Sequence, residues 1–134
     1  ADIYVPCALG GDIDEGSIGS LTRAGVKIVA GCANNQLKLP RHAESLRKAG
    51  ILYAPDFVAN AGGVIAAGIQ YLWMSNPHPS TFPRHGKVME RAGRIHHTLL
   101  EIFRKADEKQ EDTATIAGLI AHEGLRAAEG RRAA

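Results

Sequence analysis

Residues 26–54 read VKIVAGCANNQLKLPRHAESLRKAGILYA. The stretch opens on an apolar run, Val26 to Ala30, that stops at Gly31. A polar turn follows, then a helical composition from about Pro40 to Ala49, and a second apolar run, Ile51 to Ala54, begins directly after Gly50. Glycine one place beyond a helix supplies the left-handed backbone that ends it. The stretch therefore reads as strand, helix, strand. Two strands joined through a helix lie parallel, with a right-handed crossover.

The same unit extends in both directions. Toward the start, Ile3-Tyr4-Val5 is a third apolar run, joined to Val26 by a helix over about Asp14 to Ala24. None of the three runs alternates strictly, which is the expectation for strands covered on both faces. The chain opens on Ala1 and enters a strand at once, so sequence upstream of Ala1 is expected to be missing. Toward the end, Val64 to Met74 is a largely apolar helix, interrupted by Ser75-Asn76-Pro77-His78-Pro79. Between Pro83 and Asp107, Val88, Ala92, Ile95, Leu99, Ile102 and Ala106 recur at the three-and-four spacing of one helical face. Left exposed, that stripe would drive self-association. A final helix over about Asp112 to Glu129 would bury Ile116, Leu119 and Ile120. The expected architecture is α/β: three parallel strands with crossover helices in residues 1–63, then a helical C-terminal tail over residues 64–134. That is half of a doubly wound sheet.

Composition narrows the functional classes. The 134 residues suit one domain with a real core, and the formal charge of +2 is scattered, giving no basic patch for nucleic acid. No stretch is long and apolar enough to span a bilayer. Cys7 and Cys32 each follow an apolar run; two buried thiols in a reducing, cytoplasmic compartment are expected ahead of the alternative, a disulfide between them.

Ligands of such sheets bind beyond the carboxyl ends of the strands. The three turns there read PCALGG (6–11), GCANNQ (31–36) and PDFVANAGG (55–63). They are built from small residues and uncharged amides, which suit a neutral ring or a sugar hydroxyl better than a phosphate. Each has a plainer reading too: asparagines form turns, Pro55-Asp56 starts one, and Gly62-Gly63 permits close packing. The dinucleotide fingerprint G-x-G-x-x-G is absent. The six histidines show no metal-ligand spacing, and no histidine is placed by motif beside Cys7 to make it a nucleophile. Spacing alone stops at an α/β ligand-binding half-domain.

The segments PCALGG, VAGCANNQLKLPRH and GILYAPDFVANAGGVI together resemble the C-terminal segment of the leucine/phenylalanine/valine dehydrogenases, within the glutamate dehydrogenase superfamily. The likeness runs from about Asp2 to Ile65 in order and spacing, and more loosely to about Leu125. It implies a partial Rossmann-like domain that binds NAD. In that family an amino-acid substrate is reversibly deaminated to its 2-oxo acid and ammonia. By motif, Cys7, Ala8 and Leu9 would line the nicotinamide and its ribose. Asn34 would reach cofactor and substrate, and Asn60 would orient the cofactor. Val64 and Ala67 would face the substrate side chain, the small Ala67 leaving room for a larger one. The family's catalytic lysines and phosphate turn match nothing in this chain. The resemblance therefore implies no catalytic residue here, no metal, and a missing N-terminal catalytic domain or separate subunit, in a parent enzyme that is a homo-oligomer. A non-catalytic, subunit-complementing or oligomerising module is the alternative. The sequence after Ala67, GIQYLWMSNPHPSTFP, departs from the family and implies another path for that connection; Gly124 replaces a common arginine.

Overall fold

The computed structural model describes residues 1–75 and 85–132. Three strands, β1 (Ile3–Tyr4), β2 (Ile28–Val29) and β3 (Leu52–Tyr53), form a parallel sheet in chain order. Ile3 pairs with Ile28 and Tyr4 with Val29, while Ile28 pairs with Leu52 and Val29 with Tyr53. Ladder bonds such as Ala30 N–H to Tyr4 O (3.1 Å) and Ala54 N–H to Val29 O (2.9 Å) carry the pairing past these short cores. The crossover helices are α1 (Glu15–Arg23) and α2 (His42–Lys48). A short α3 (Asp56–Ala59) follows β3, then α4 (Gly62–Ser75), α5 (His85–Lys109) and α6 (Thr113–Arg132). This is a partial Rossmann-like α/β fold with a helical tail.

Local chemistry sets the boundaries. Asp14 caps α1 in a reciprocal box: its Oδ1 accepts from Ser17 N–H at 3.0 Å, and Ser17 Oγ accepts from Asp14 N–H at 2.8 Å. No side chain caps α2 from Arg41. Instead the buried His42 turns back, its Nδ1 accepting from Leu39 N–H at 3.2 Å. Gly50 sits at φ 71° just past α2, as its place in the sequence predicts.

Tyr4, Val29 and Tyr53 share one sheet face and pack with Ile13, Ile18, Leu46 and Ile51 beneath α1 and α2. A second cluster joins α5 to α6 through Ile102, Ala106, Ile116 and Ala117. The Thr113 hydroxyl, buried at the start of α6, donates to Tyr53 O at 2.7 Å and so pins the tail to β3.

Four expectations change. Leu119, expected in the core, is 45% exposed, because α6 turns Ile116 and Ala117 toward α5 instead. Among the described residues the strands are covered on one face, not two. Ile3, Ile28 and Leu52 are paired across the other, where Ile3 and Val5 are each 54% exposed. Pro55-Asp56 opens the helix α3 and is no simple turn. The stripe on α5 is not bare either: Ile102 and Ala106 are buried, and Val88, Ala92, Ile95 and Leu99 are half-buried. The family departure after Ala67 continues as helix α4 to Ser75, and the remainder of that connection lies outside the described residues.

Candidate functional site

All three turns open at the same end of the sheet, because parallel strands in one sheet share a direction. The first two run side by side. Ala33 N–H donates to Pro6 O at 3.0 Å, Gly11 N–H to Asn35 O at 2.7 Å, and Ile13 N–H to Gln36 O at 3.0 Å. Lys38 N–H returns to Ile13 O at 3.0 Å, closing an isolated parallel bridge between Ile13 and Leu37. Gly31 lies so close to Pro6 that a β-carbon there would meet the Pro6 carbonyl oxygen at 2.1 Å. Only glycine permits that approach.

The third turn is latched to the second by amides. Asn60 Nδ2 donates to Asn34 Oδ1 at 2.6 Å, with Ala33 O at 3.4 Å. The structure thus brings together two candidates that lie in separate turns. The Asn34 amide NH2 and the Asn60 carbonyl oxygen make no hydrogen bond among the described residues, so a donor group and an acceptor group of the pair remain open. Asn35, with φ 53°, is the turn-former of its pair.

Two supports escaped the sequence reading. Gln36, fully buried, donates from Nε2 to Gly31 O and Ala33 O, each at 2.9 Å, holding the second turn from within. Asp56 accepts from Gln36 N–H at 3.0 Å through Oδ2 and from Phe57 N–H at 2.8 Å through Oδ1. Its own N–H faces the Tyr53 hydroxyl at 3.3 Å. Burial, and then the Asp56 charge, push the Tyr53 phenol well above its ordinary pKa, so it stays protonated. A buried Gln is unremarkable in a sequence, and no spacing rule marks it as a clamp.

Cys7, Ala8 and Leu9 are exposed at the tip of the first turn, Leu9 to 75%. The expectation of buried thiols fails: Cys7 and Cys32 are free and both exposed, because each lies past the covered part of its strand. Val64 and Ala67 face outward on the first turns of α4, Val64 to 77%, so a core role does not explain them. No hydrogen bond links either residue to the Asn34–Asn60 pair. A β-carbon at Gly62 or Gly63 would meet nothing within 4 Å, which removes close packing as the reason for that pair of glycines.

Away from the rim, oxygens of Glu44, Glu111 and Asp112 gather within 4.8 Å of one another. Arg47 balances them; its hydrogen bonds at 2.6 and 2.8 Å, ahead of its charge, hold the Glu44 carboxyl below its usual pKa.

Both the sequence and the fold match known proteins. Residues 1–130 match the family described as Glutamate/Leucine/Phenylalanine/Valine dehydrogenase. A valine dehydrogenase of Streptomyces coelicolor is 42% identical over 130 residues, covering 97% of this chain and 32% of the relative. A phenylalanine dehydrogenase of Caldalkalibacillus thermarum is 37% identical over 126 residues, covering 94% and 31%. The crystal structure of L-tryptophan dehydrogenase from Nostoc punctiforme superposes with a TM-score of 0.81 at 35% identity, over 96% of this chain and 35% of that one. The chain spans about a third of the length of these relatives.

Proposed function

The chain belongs to the glutamate/leucine/phenylalanine/valine dehydrogenase family, and from that premise we propose that it builds the nicotinamide-side wall of an NAD-dependent L-amino-acid dehydrogenase. The proposed substrate is an aliphatic or aromatic amino acid, deaminated oxidatively and reversibly to the 2-oxo acid and ammonia in the cytoplasm. When bound, NAD supplies the hydride acceptor.

The observation that carries the reading is the 2.6 Å contact between Asn34 and Asn60, made across two separate post-strand turns. Each amide fixes the other's orientation, leaving a donor and an acceptor matched to a carboxamide or a ribose hydroxyl. The three turns contain no lysine or arginine, so a pyrophosphate would be held elsewhere. Cys7, Ala8 and Leu9 offer backbone and an apolar side chain beside the amides. Val64 and Ala67, exposed on α4, are the surface assigned to the substrate side chain. A β-carbon at Gly62 or Gly63 would meet none of the other described residues within 4 Å, which suits the approach of a flat ring.

General acid–base work at the reacting carbon needs a group at hydrogen-bond reach. None of the rim residues is a lysine, and Lys38 is engaged at the surface with Asp14 at 3.2 Å. The proton-moving lysines would therefore come from a further domain or subunit, in an enzyme that assembles as a homo-oligomer.

The test is to express the complete reading frame containing these residues and follow NAD reduction with branched and aromatic amino acids. Activity should appear with at least one of them, and Asn34→Ala should lower turnover by roughly 10²-fold, the scale on which losing one oriented donor acts. Unchanged kinetics in that variant would remove Asn34 from the site.

A further inference from the structure

β1 and β2 keep one register as far as Tyr4 and Val29; beyond it Pro6 O accepts from Ala33 N–H in place of Cys32 N–H, a one-residue slip that leaves the Cys32 amide facing the Cys7 thiol. The backbone stays in contact up to that point. Tyr4 O accepts from Ala30 N–H at 3.1 Å, and Pro6 O accepts from Ala33 N–H at 3.0 Å, so each cysteine adjoins one end of the second bond. Gly31 presses against Pro6 within the same contact. Neighbouring parallel strands lie about 4.7–4.9 Å apart, inside the 4.4–6.8 Å range of Cα separations that a disulfide bridges. Both thiols are free and exposed, open to a dissolved oxidant. The cytoplasmic family chemistry proposed above makes no use of either sulfur.

We propose that Cys7 and Cys32 are a reversible dithiol that closes to a disulfide by exchange with a small-molecule disulfide such as oxidised glutathione. One cysteine thiolate attacks a glutathione sulfur, forming a mixed disulfide and releasing one glutathione thiolate, which takes up a proton. The second cysteine, deprotonated, then attacks the sulfur of the first and expels the second glutathione. The protein loses two protons and two electrons, and one disulfide of the oxidant becomes two thiols.

The environment assigns the order. The backbone amide of Cys32, and then its thiol, lower the pKa of Cys7, whereas the neighbouring Cys7 raises that of Cys32. Cys7 is thus the attacking thiol and Cys32 the resolving one. A closed bridge would cross the backbone on which the nicotinamide is proposed to lie; that consequence rests on the functional reading, but the thiol chemistry does not.

The purified chain, without nucleotide, should be equilibrated with mixtures of oxidised and reduced glutathione, quenched by alkylation and weighed intact. Wild type should yield a species short of two hydrogens, unalkylated at both cysteines and restored by reduced glutathione. Its equilibrium constant for closure should exceed that of the same chain in denaturant by roughly tenfold or more, since only the fold brings the sulfurs together. Cys32→Ser should stop at a stable glutathione adduct on Cys7, and Cys7→Ser should react more slowly at Cys32. Glutathione adducts on both cysteines of wild type without internal closure would overturn the proposal, as would equal closure in the denatured chain. Because no nucleotide is present, failure of the dehydrogenase reading would leave this result untouched.

Discussion

Gly31 and Asp14 show how much rests on single side chains. A β-carbon at Gly31 would overlap the Pro6 backbone, and neither strand can retreat without breaking the ladder. Gly31→Ala should cost about 1–3 kcal/mol in urea unfolding and should perturb the rim, whereas alanine at the uncrowded Gly62 should leave stability nearly unchanged. Asp14 is governed by charge. The Ser17 backbone N–H, followed by Lys38, holds its carboxyl below the ordinary range in the folded chain. Its contribution is therefore full above the ordinary aspartate pKa and is lost as pH falls through the depressed folded value. The melting temperature should drop over that acid window, and Asp14→Asn should flatten that part of the profile. At this scale the sequence was partly readable. Asn34 and Asn60 stood out as amides in glycine-rich turns, but nothing in their spacing showed that they touch. Gln36 and His42 went unnoticed because a lone polar residue reveals its burial only once its neighbours are placed.

Among the elements, the joint between β3 and α6 matters most. The hydroxyl of Thr113 satisfies a strand carbonyl sixty positions away in sequence, in a buried setting. Thr113→Val keeps the volume and strands that carbonyl, which should cost about 1–3 kcal/mol in chemical denaturation. Helices and strands were legible from periodicity and from Gly50, since both depend on neighbours close in the chain. The coverage of the strands was not. An apolar run states that burial is available, and only the placement of α1 and α2 shows that one face uses it. The α3 helix was missed for a similar reason: four residues give no period, and Asp56 acts through contacts with Gln36 and Phe57 that the sequence does not display.

For the molecule as a whole, the uncovered sheet face sets behaviour in solution. Ile3, Val5 and Leu52 expose an apolar strip beside the edge of β1, which no strand among the described residues pairs, a combination that favours association. Static light scattering on the purified chain should show mass rising with concentration, and Ile3→Lys with Leu52→Lys should reduce that rise. A concentration-independent monomer would show that the strip is tolerated bare. The backbone bonds between the first two turns have a different consequence. They join two of the three rim segments into one stiff lip, and the paired amides fasten the third to it. Such a lip has no slack with which to wrap a guest. Any movement that encloses a bound molecule must be made by whatever stands opposite, while this side serves as the anvil.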